Sequence, residues 1–208
     1  MATLALILTV AWIAIVAGLR SLIRLRQTGR IGLYRGDRPG SPQWWSRRIS
    51  SVGAVLAVAA PLAELAGLAP IPFLDQPALR AAGVGLFVLG LAGTVIAQVA
   101  MGESWRPDVD PDARTSLVTS GPYRFVRNPI LTATAVTVTG LALMVPNIVA
   151  LAMLILSVAA MQVQVRLVEE PYLRRVHGDA YETYAARTGR FVPGIGRLHP
   201  SPRVPLPE

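Results

Sequence analysis

Residues 119–170 read TSGPYRFVRNPILTATAVTVTGLALMVPNIVALAMLILSVAAMQVQVRLVEE, and this stretch decides the fold. No charged residue lies between Pro129 and Val165. Pro146-Asn147 divides the stretch into two apolar runs, 129–145 and 147–167, joined by a tight turn. A bilayer-spanning helix needs about 20 mostly apolar residues. The pattern is therefore a transmembrane hairpin, which returns the chain to the side it left. The polar residues before it and after it can then meet at one membrane face.

Working outward, three further apolar runs cover 3–19, 50–69 and 80–101. The first and fourth runs are short and need little tilt. In lipid only helices and closed barrels satisfy their own backbone, and none of the runs shows the alternation of a barrel strand. The chain is 52% hydrophobic and 15% charged. The expected fold is an all-α integral membrane protein of about five transmembrane helices with a C-terminal cytoplasmic helical cap. It forms one membrane domain over 1–208, with a Pro- and Gly-rich tail at 196–208 expected to be disordered.

All 20 basic residues are Arg. Eight fall in 20–49, four between the third and fourth spans and seven from Arg166 onward; Arg80 alone falls on the other side. The positive-inside rule then places the N-terminus outside and the C-terminus in the cytoplasm of an inner (plasma) type membrane. A net charge of +8 is read as topology and contact with anionic lipid headgroups, with no nucleic-acid partner. The first run lacks the basic n-region of a signal peptide. With no Cys, disulfides, Cys-ligated metals and Cys nucleophiles are excluded. His177 and His199 are too few for a His-rich metal site.

Several residues carry local expectations. Trp44 and Trp45 precede the second span as interface anchors. Trp12 is read as a packing residue. Glu64, near the outer end of the second span, is read chiefly as an interface or packing residue. Small residues at 81/85 and 93/97 of the third span offer close helix approach. Gln98, at its inner end, is a ligand contact or, more simply, an interhelical hydrogen bond. Asp108, Asp110 and Asp112 resemble a metal loop, but Pro111 interrupts them and no closing Glu follows, so no metal is expected. Positions 162, 166, 169/170 and 173 share one face of the fifth helix. Pro171 is expected to break or kink that helix. A short amphipathic piece, 172–177, ends at Gly178. A second short helix starts with Asp179 as its N-cap and stops at Gly189.

Two polar clusters flank the hairpin. In the first, Gly121-Pro122 and Asn128-Pro129 are stiff turning points enclosing Tyr123, Arg124 and Arg127. Such a loop can offer backbone N–H groups and arginines to an anion at the start of a helix; equally, it can only begin a span and touch lipid phosphate. The second cluster holds Arg166, Glu169, Glu170, Tyr181, Tyr184 and Arg190. Arg166 with Glu169 and Glu170 fits i, i+3 and i+4 ion pairs. A carboxylate placed there can also hold an ammonium or a ribose hydroxyl.

Gly-Pro-Tyr-Arg-x-x-Arg-Asn-Pro, a hairpin, then Arg-x-x-Glu-Glu, Gly-x-x-Tyr-x-x-Tyr and Arg-x-x-Pro resembles the isoprenylcysteine carboxyl methyltransferase family, related to the phospholipid N-methyltransferases. The resemblance spans about 98–195. It implies a membrane enzyme using S-adenosylmethionine without a Rossmann domain, on a lipophilic small-molecule or lipid substrate drawn from the bilayer. Carried over by position, Gly121, Pro122, Tyr123, Arg127, Asn128 and Pro129 shape the cofactor pocket. Glu169, Glu170, Tyr181 and Tyr184 close it. Arg166 and Arg190 hold an anionic acceptor or the cofactor carboxylate, and with Glu170 they form the expected catalytic set. The family usually has His at Asn128 and Tyr at Leu131, which bears on the substrate more than on the cofactor. A carboxylate acceptor needs no base; an amine or hydroxyl acceptor would need Glu169 or Glu170. Competing readings are an NADPH-dependent membrane reductase and a non-catalytic membrane protein. The sequence does not fix the oligomeric state.

Overall fold

A computed structural model describes residues 1–28, 37–101 and 117–198. The expectations for Asp108, Asp110 and Asp112, for part of the arginine-rich loop and for most of the tail lie outside the described residues. Seven helices are described: α1 (Ala2–Thr28), α2 (Pro42–Leu65), α3 (Pro77–Met101), α4 (Pro129–Met144), α5 (Ile148–Val163), α6 (Glu170–His177) and α7 (Asp179–Arg187). A 3-10 turn, Gly121–Arg124, precedes α4, and a π turn, Gln164–Glu169, joins α5 to α6.

The five apolar runs are all helical. Pro42–Leu65, Pro77–Met101 and the continuous Ile148–His177 are each long and apolar enough to cross a membrane. Ala2–Val16 and Pro129–Met144 are shorter apolar helices.

Helices α3 and α4 form one antiparallel pair, and α2 and α5 another, with α1 leaning on α2. The first pair meets through absent side chains. A Cβ on Gly83 would stand 2.7 Å from the Gly140 carbonyl, and one on Gly90 would stand 2.5 Å from the Thr137 nitrogen. In lipid, where burial of apolar area supplies no net drive, such close approach supplies the packing. The small pairs expected at 81/85 and 93/97 are corrected accordingly. Gly85 faces open space, and Gly93 meets only the Ala133 side chain. The close contacts recur at 83 and 90, seven residues apart, because that spacing keeps one face of α3 on α4.

The apolar core lies at the end remote from the arginine-rich segments. Ala2, Ala5, Ala57, Ala60, Phe87, Leu141, Met144 and Met153 fill it, with Trp12 edge-on to Phe87 at 6.4 Å. Arg80 closes this end. Its guanidinium donates to Glu64 at 2.7 Å, Asp75 at 2.7 Å and the Met144 carbonyl at 2.9 Å. Glu64 thus serves packing between α2 and α3. Asn147 secures the hairpin turn: its Oδ1 accepts from the Ala150 amide at 3.0 Å, capping α5, and its Nδ2 donates to the Ala60 carbonyl at 3.0 Å. Asn147 is fully buried. Asn147→Ala is expected to lower stability by about 2 kcal/mol through the lost cap and the stranded carbonyl, measured as thermal unfolding in detergent.

The fifth helix departs from expectation. It does not break at Pro171 but runs on to His177. The widened π turn just before the proline absorbs its missing N–H, and the Glu170 amide donates to the Val165 carbonyl. The extra residue per turn rotates everything after it, so 162, 166, 169/170 and 173 no longer share a face. Arg166 is exposed and Glu170 is buried. Asp179 is also corrected. It is the first residue of α7; the cap position is Gly178 at φ 49°, whose carbonyl accepts from the Glu182 amide at 3.1 Å. The helix closes at Thr188, one residue before Gly189.

Candidate functional site

The hairpin brings the two clusters together. The Arg127 amide donates to the Gly189 carbonyl at 2.8 Å, and the Asn128 amide donates to the Arg190 carbonyl at 3.2 Å. The chain after α7 thus lies against the start of α4. Thr132 fastens it further, its hydroxyl donating to the Phe191 carbonyl at 2.9 Å. Asn128 adds an Nδ2 bond to the Arg190 carbonyl at 3.1 Å. Pro129 is buried as the first residue of α4, where its missing N–H costs nothing.

Arg127 is the hub. Its side chain is 2% exposed. The guanidinium donates to the carbonyls of Ala185, Thr188 and Gly196 and to Glu170 Oε1 at 2.7 Å. Glu170 also receives a two-pronged grip from Arg190, Nε to Oε1 at 2.7 Å and Nη2 to Oε2 at 2.9 Å. One carboxylate therefore sits between two guanidiniums, each bond charge-assisted. The Glu170 carboxylate beside it raises Arg190 above its usual value. This clamp joins the loop before α4, the start of α6 and the segment after α7.

Three tyrosines stand beside the clamp. Tyr123 is buried, and its hydroxyl reaches the Ala97 carbonyl of α3 at 3.4 Å. Tyr184 donates to the Tyr123 carbonyl at 2.6 Å. The Tyr181 ring meets Tyr184 edge-on at 6.3 Å. Burial, with nearby Glu170, pushes the Tyr181 phenol up to about 12. Burial also raises Tyr123 and Tyr184. All three are neutral at physiological pH and act as hydrogen-bonding and packing groups, not as bases. Gly121, at φ 58°, begins the turn with Pro122; a side chain there would meet Ala100 at 3.7 Å, so the residue is needed for its backbone and not for space.

Not every expected residue joins. Arg166 donates to Gln162 Oε1 at 2.8 Å instead of pairing with Glu169 or Glu170. Glu169 is half-buried and accepts from Gln164 at 3.1 Å. Both differences follow from the π turn, which no motif in the sequence announces. The interhelical bond expected of Gln98 is not formed: the residue is fully buried, and neither amide atom has a hydrogen-bond partner. Thr132 and Thr188 enter the site through hydrogen bonds that the sequence did not mark.

Residues 79–180, just under half of the chain, match the family model of phospholipid methyltransferases. No curated protein matches the chain. Among solved structures the chain is similar to the eukaryotic intramembrane Ras methyltransferase, isoprenylcysteine carboxyl methyltransferase. The TM-score is 0.64 at 18% identity, over 92% of this chain and 67% of that one. The resemblance expected from the two motifs is therefore found, and the fold is that of an intramembrane methyltransferase. The family model indicates a methyltransferase, and the apolar helices place it in a membrane.

Proposed function

We propose that the chain transfers a methyl group from S-adenosylmethionine to a lipophilic, membrane-embedded acceptor, most simply a lipid carboxylate resembling isoprenylcysteine. The convergence of the two clusters on the Arg127–Glu170–Arg190 clamp carries the reading, within a region that matches methyltransferases. By the positive-inside rule the clamp end faces the cytoplasm of a plasma-type membrane, where a water-borne cofactor and a bilayer-borne acceptor can meet.

The residues present fit such a cofactor. Three neutral tyrosines give aromatic walls, Glu169 offers a carboxylate at the edge of the site, and Gln98 holds a donor and an acceptor with no protein partner. When bound, the cofactor supplies a methyl group already activated on a sulfonium. The acceptor's carboxylate oxygen attacks that carbon in line, the carbon–sulfur bond breaks, and its electron pair stays on sulfur. No proton moves, so no base is required, in keeping with a site rich in Arg and without His.

The chain's part is positioning and exclusion of water, which together account for several kcal/mol of a barrier. Arg127, Glu170 and Arg190 fix the three segments around the pocket and act as positioning residues. Arg166, exposed beside exposed Leu167 at the end of α5, is placed to meet an anionic headgroup arriving from lipid. Asn128 spends its donor on the Arg190 carbonyl and so orders the loop, whereas an imidazole at this position would titrate.

Calorimetric titration of the detergent-solubilised protein tests the reading. Micromolar binding of S-adenosylmethionine is expected, with loss of binding in Glu170→Ala and no binding of NADPH. Binding of NADPH instead would favour a reductase, and binding of neither would return the clusters to a structural role.

A further inference from the structure

Gln98 stands on the face of α3 that packs on α4, in line with Gly83, Phe87, Gly90 and Thr94. The antiparallel register places it. Gly83 lies on Gly140, and Gly90 lies on Thr137 and Ala133. Eight residues further along α3, about 12 Å at helical rise, Gln98 comes level with 126–129 at the mouth of α4. Its neighbour Ala97 accepts the Tyr123 hydroxyl, which ties the same level of α3 to the motif loop. Gln98 therefore lies at the inner floor of the site.

Its amide is the anomaly. A fully buried carboxamide with neither Nε2 nor Oε1 bonded is disfavoured, because water has been removed and nothing has replaced it. The nearby charged groups do not answer it, since Arg127, Arg190 and Glu170 are committed to one another. A group that relieves both atoms must present a donor and an acceptor side by side. It must also be neutral, since a charge brought to this depth would have no counter-ion left to meet. Among the parts of S-adenosylmethionine, the sulfonium, the ammonium and the carboxylate fail these conditions. The adenine edge, an amino donor beside a ring-nitrogen acceptor, meets them, and a carboxamide pairs with it through two hydrogen bonds.

We infer that Gln98 reads the edge of the cofactor's adenine, an assignment that rests on the methyltransferase reading above. The sequence places this residue twenty positions before the first motif cluster, so the motif itself does not reveal it. The unpaired state of the ligand-free protein is the signature of a group held ready for a partner from outside the chain.

The test pairs stability with binding. In Gln98→Leu, of similar size and without polar atoms, the ligand-free protein is expected to keep or raise its Tm, because an unsatisfied amide is replaced by an apolar group. Binding of S-adenosylhomocysteine is expected to weaken about 30-fold. The wild-type protein is also expected to prefer S-adenosylhomocysteine to S-inosylhomocysteine, in which an oxo group replaces the amino donor, and Gln98→Leu to lose that preference. A fall of several degrees in ligand-free Tm, unchanged binding by the variant, or equal binding of the two nucleosides by the wild type overturns the assignment. Should the variant fail to fold, the comparison of nucleosides in the wild type still decides. Failure of the wild type to bind S-adenosylmethionine at all removes the methyltransferase reading itself, a result distinct from these.

Discussion

Arg127→Ala is expected to lose about 4 kcal/mol of stability and to abolish measurable binding of S-adenosylmethionine. The magnitude follows from what the side chain holds. It is almost wholly buried and donates to three carbonyls and one carboxylate, from α7, the segment after it and α6. Truncation strands those carbonyls and leaves Glu170 with Arg190 alone. Removing one partner of a buried ion pair costs about 3–5 kcal/mol, chiefly because the other groups stay buried without it. Arg127→Lys is expected to recover less than half of the loss, since an ammonium cannot span four acceptors set in a plane around a guanidinium. Thermal unfolding in detergent gives the stability, and calorimetry gives the binding. A loss below about 1 kcal/mol would mean that the clamp is dispensable. Arg166→Ala supplies the contrast. Its side chain is exposed and bonds only to Gln162 among the described partners, so stability is expected to stay within about 0.5 kcal/mol of wild type. If methyl transfer falls while stability holds, Arg166 acts on the acceptor; if neither changes, its assignment to the acceptor fails.

The contrast between these arginines shows what the sequence could and could not reveal. The apolar runs were legible because the bilayer imposes length and composition on every span. The meeting of the two clusters was legible because a hairpin has only one way to return. Arg127, Glu170, Tyr123 and Tyr184 were accordingly placed together before their contacts were known. The direction of Arg166 was not legible. It depends on one residue of extra helical advance in Gln164–Glu169, and a π turn carries no composition of its own. Pro171 gave the only local hint, and it suggested a break where the helix widens. The capping of α7 was misread for a similar reason. Asp179 is a favourable cap residue, but Gly178 alone tolerates the positive φ that turns the chain between α6 and α7. Glycine pairs on α3 were found by spacing, yet 81/85 and 83/90 are equally periodic. Only the placement of α4 decides which face is used.

That placement gives the second large effect. Gly140→Val is expected to separate α3 from α4 and to cost about 3 kcal/mol or more, with loss of the folded protein a plain outcome at moderate temperature. A Cβ at position 140 would lie 2.5 Å from the Phe87 nitrogen, 2.6 Å from the Gly83 carbonyl and 2.9 Å from the Phe87 Cα. All three atoms are backbone, so no rotamer change relieves the overlap and a helix must move. Overpacking of a tight interior costs about 1–3 kcal/mol when side chains can adjust, and more when they cannot. Even Gly140→Ala is expected to destabilise markedly, which distinguishes steric exclusion from loss of a favoured conformation. Gly85→Ala is the matched control. It lies on the same span with nothing within 4 Å, and it should be neutral or slightly stabilising, because Ala is the better helix former. Unfolding in detergent and helix-pair cross-linking report the two substitutions. Equal effects at 85 and 140 would mean that the α3–α4 approach is not the tight contact described. The same pair links packing to chemistry. The register fixed at Gly83 and Gly90 sets the height of Gln98 against the start of α4 and lets Tyr123 reach Ala97. Any surviving Gly140→Ala protein should therefore bind S-adenosylmethionine more weakly than its residual stability alone would explain, although residue 140 lies some 16 Å along α4 from Pro129.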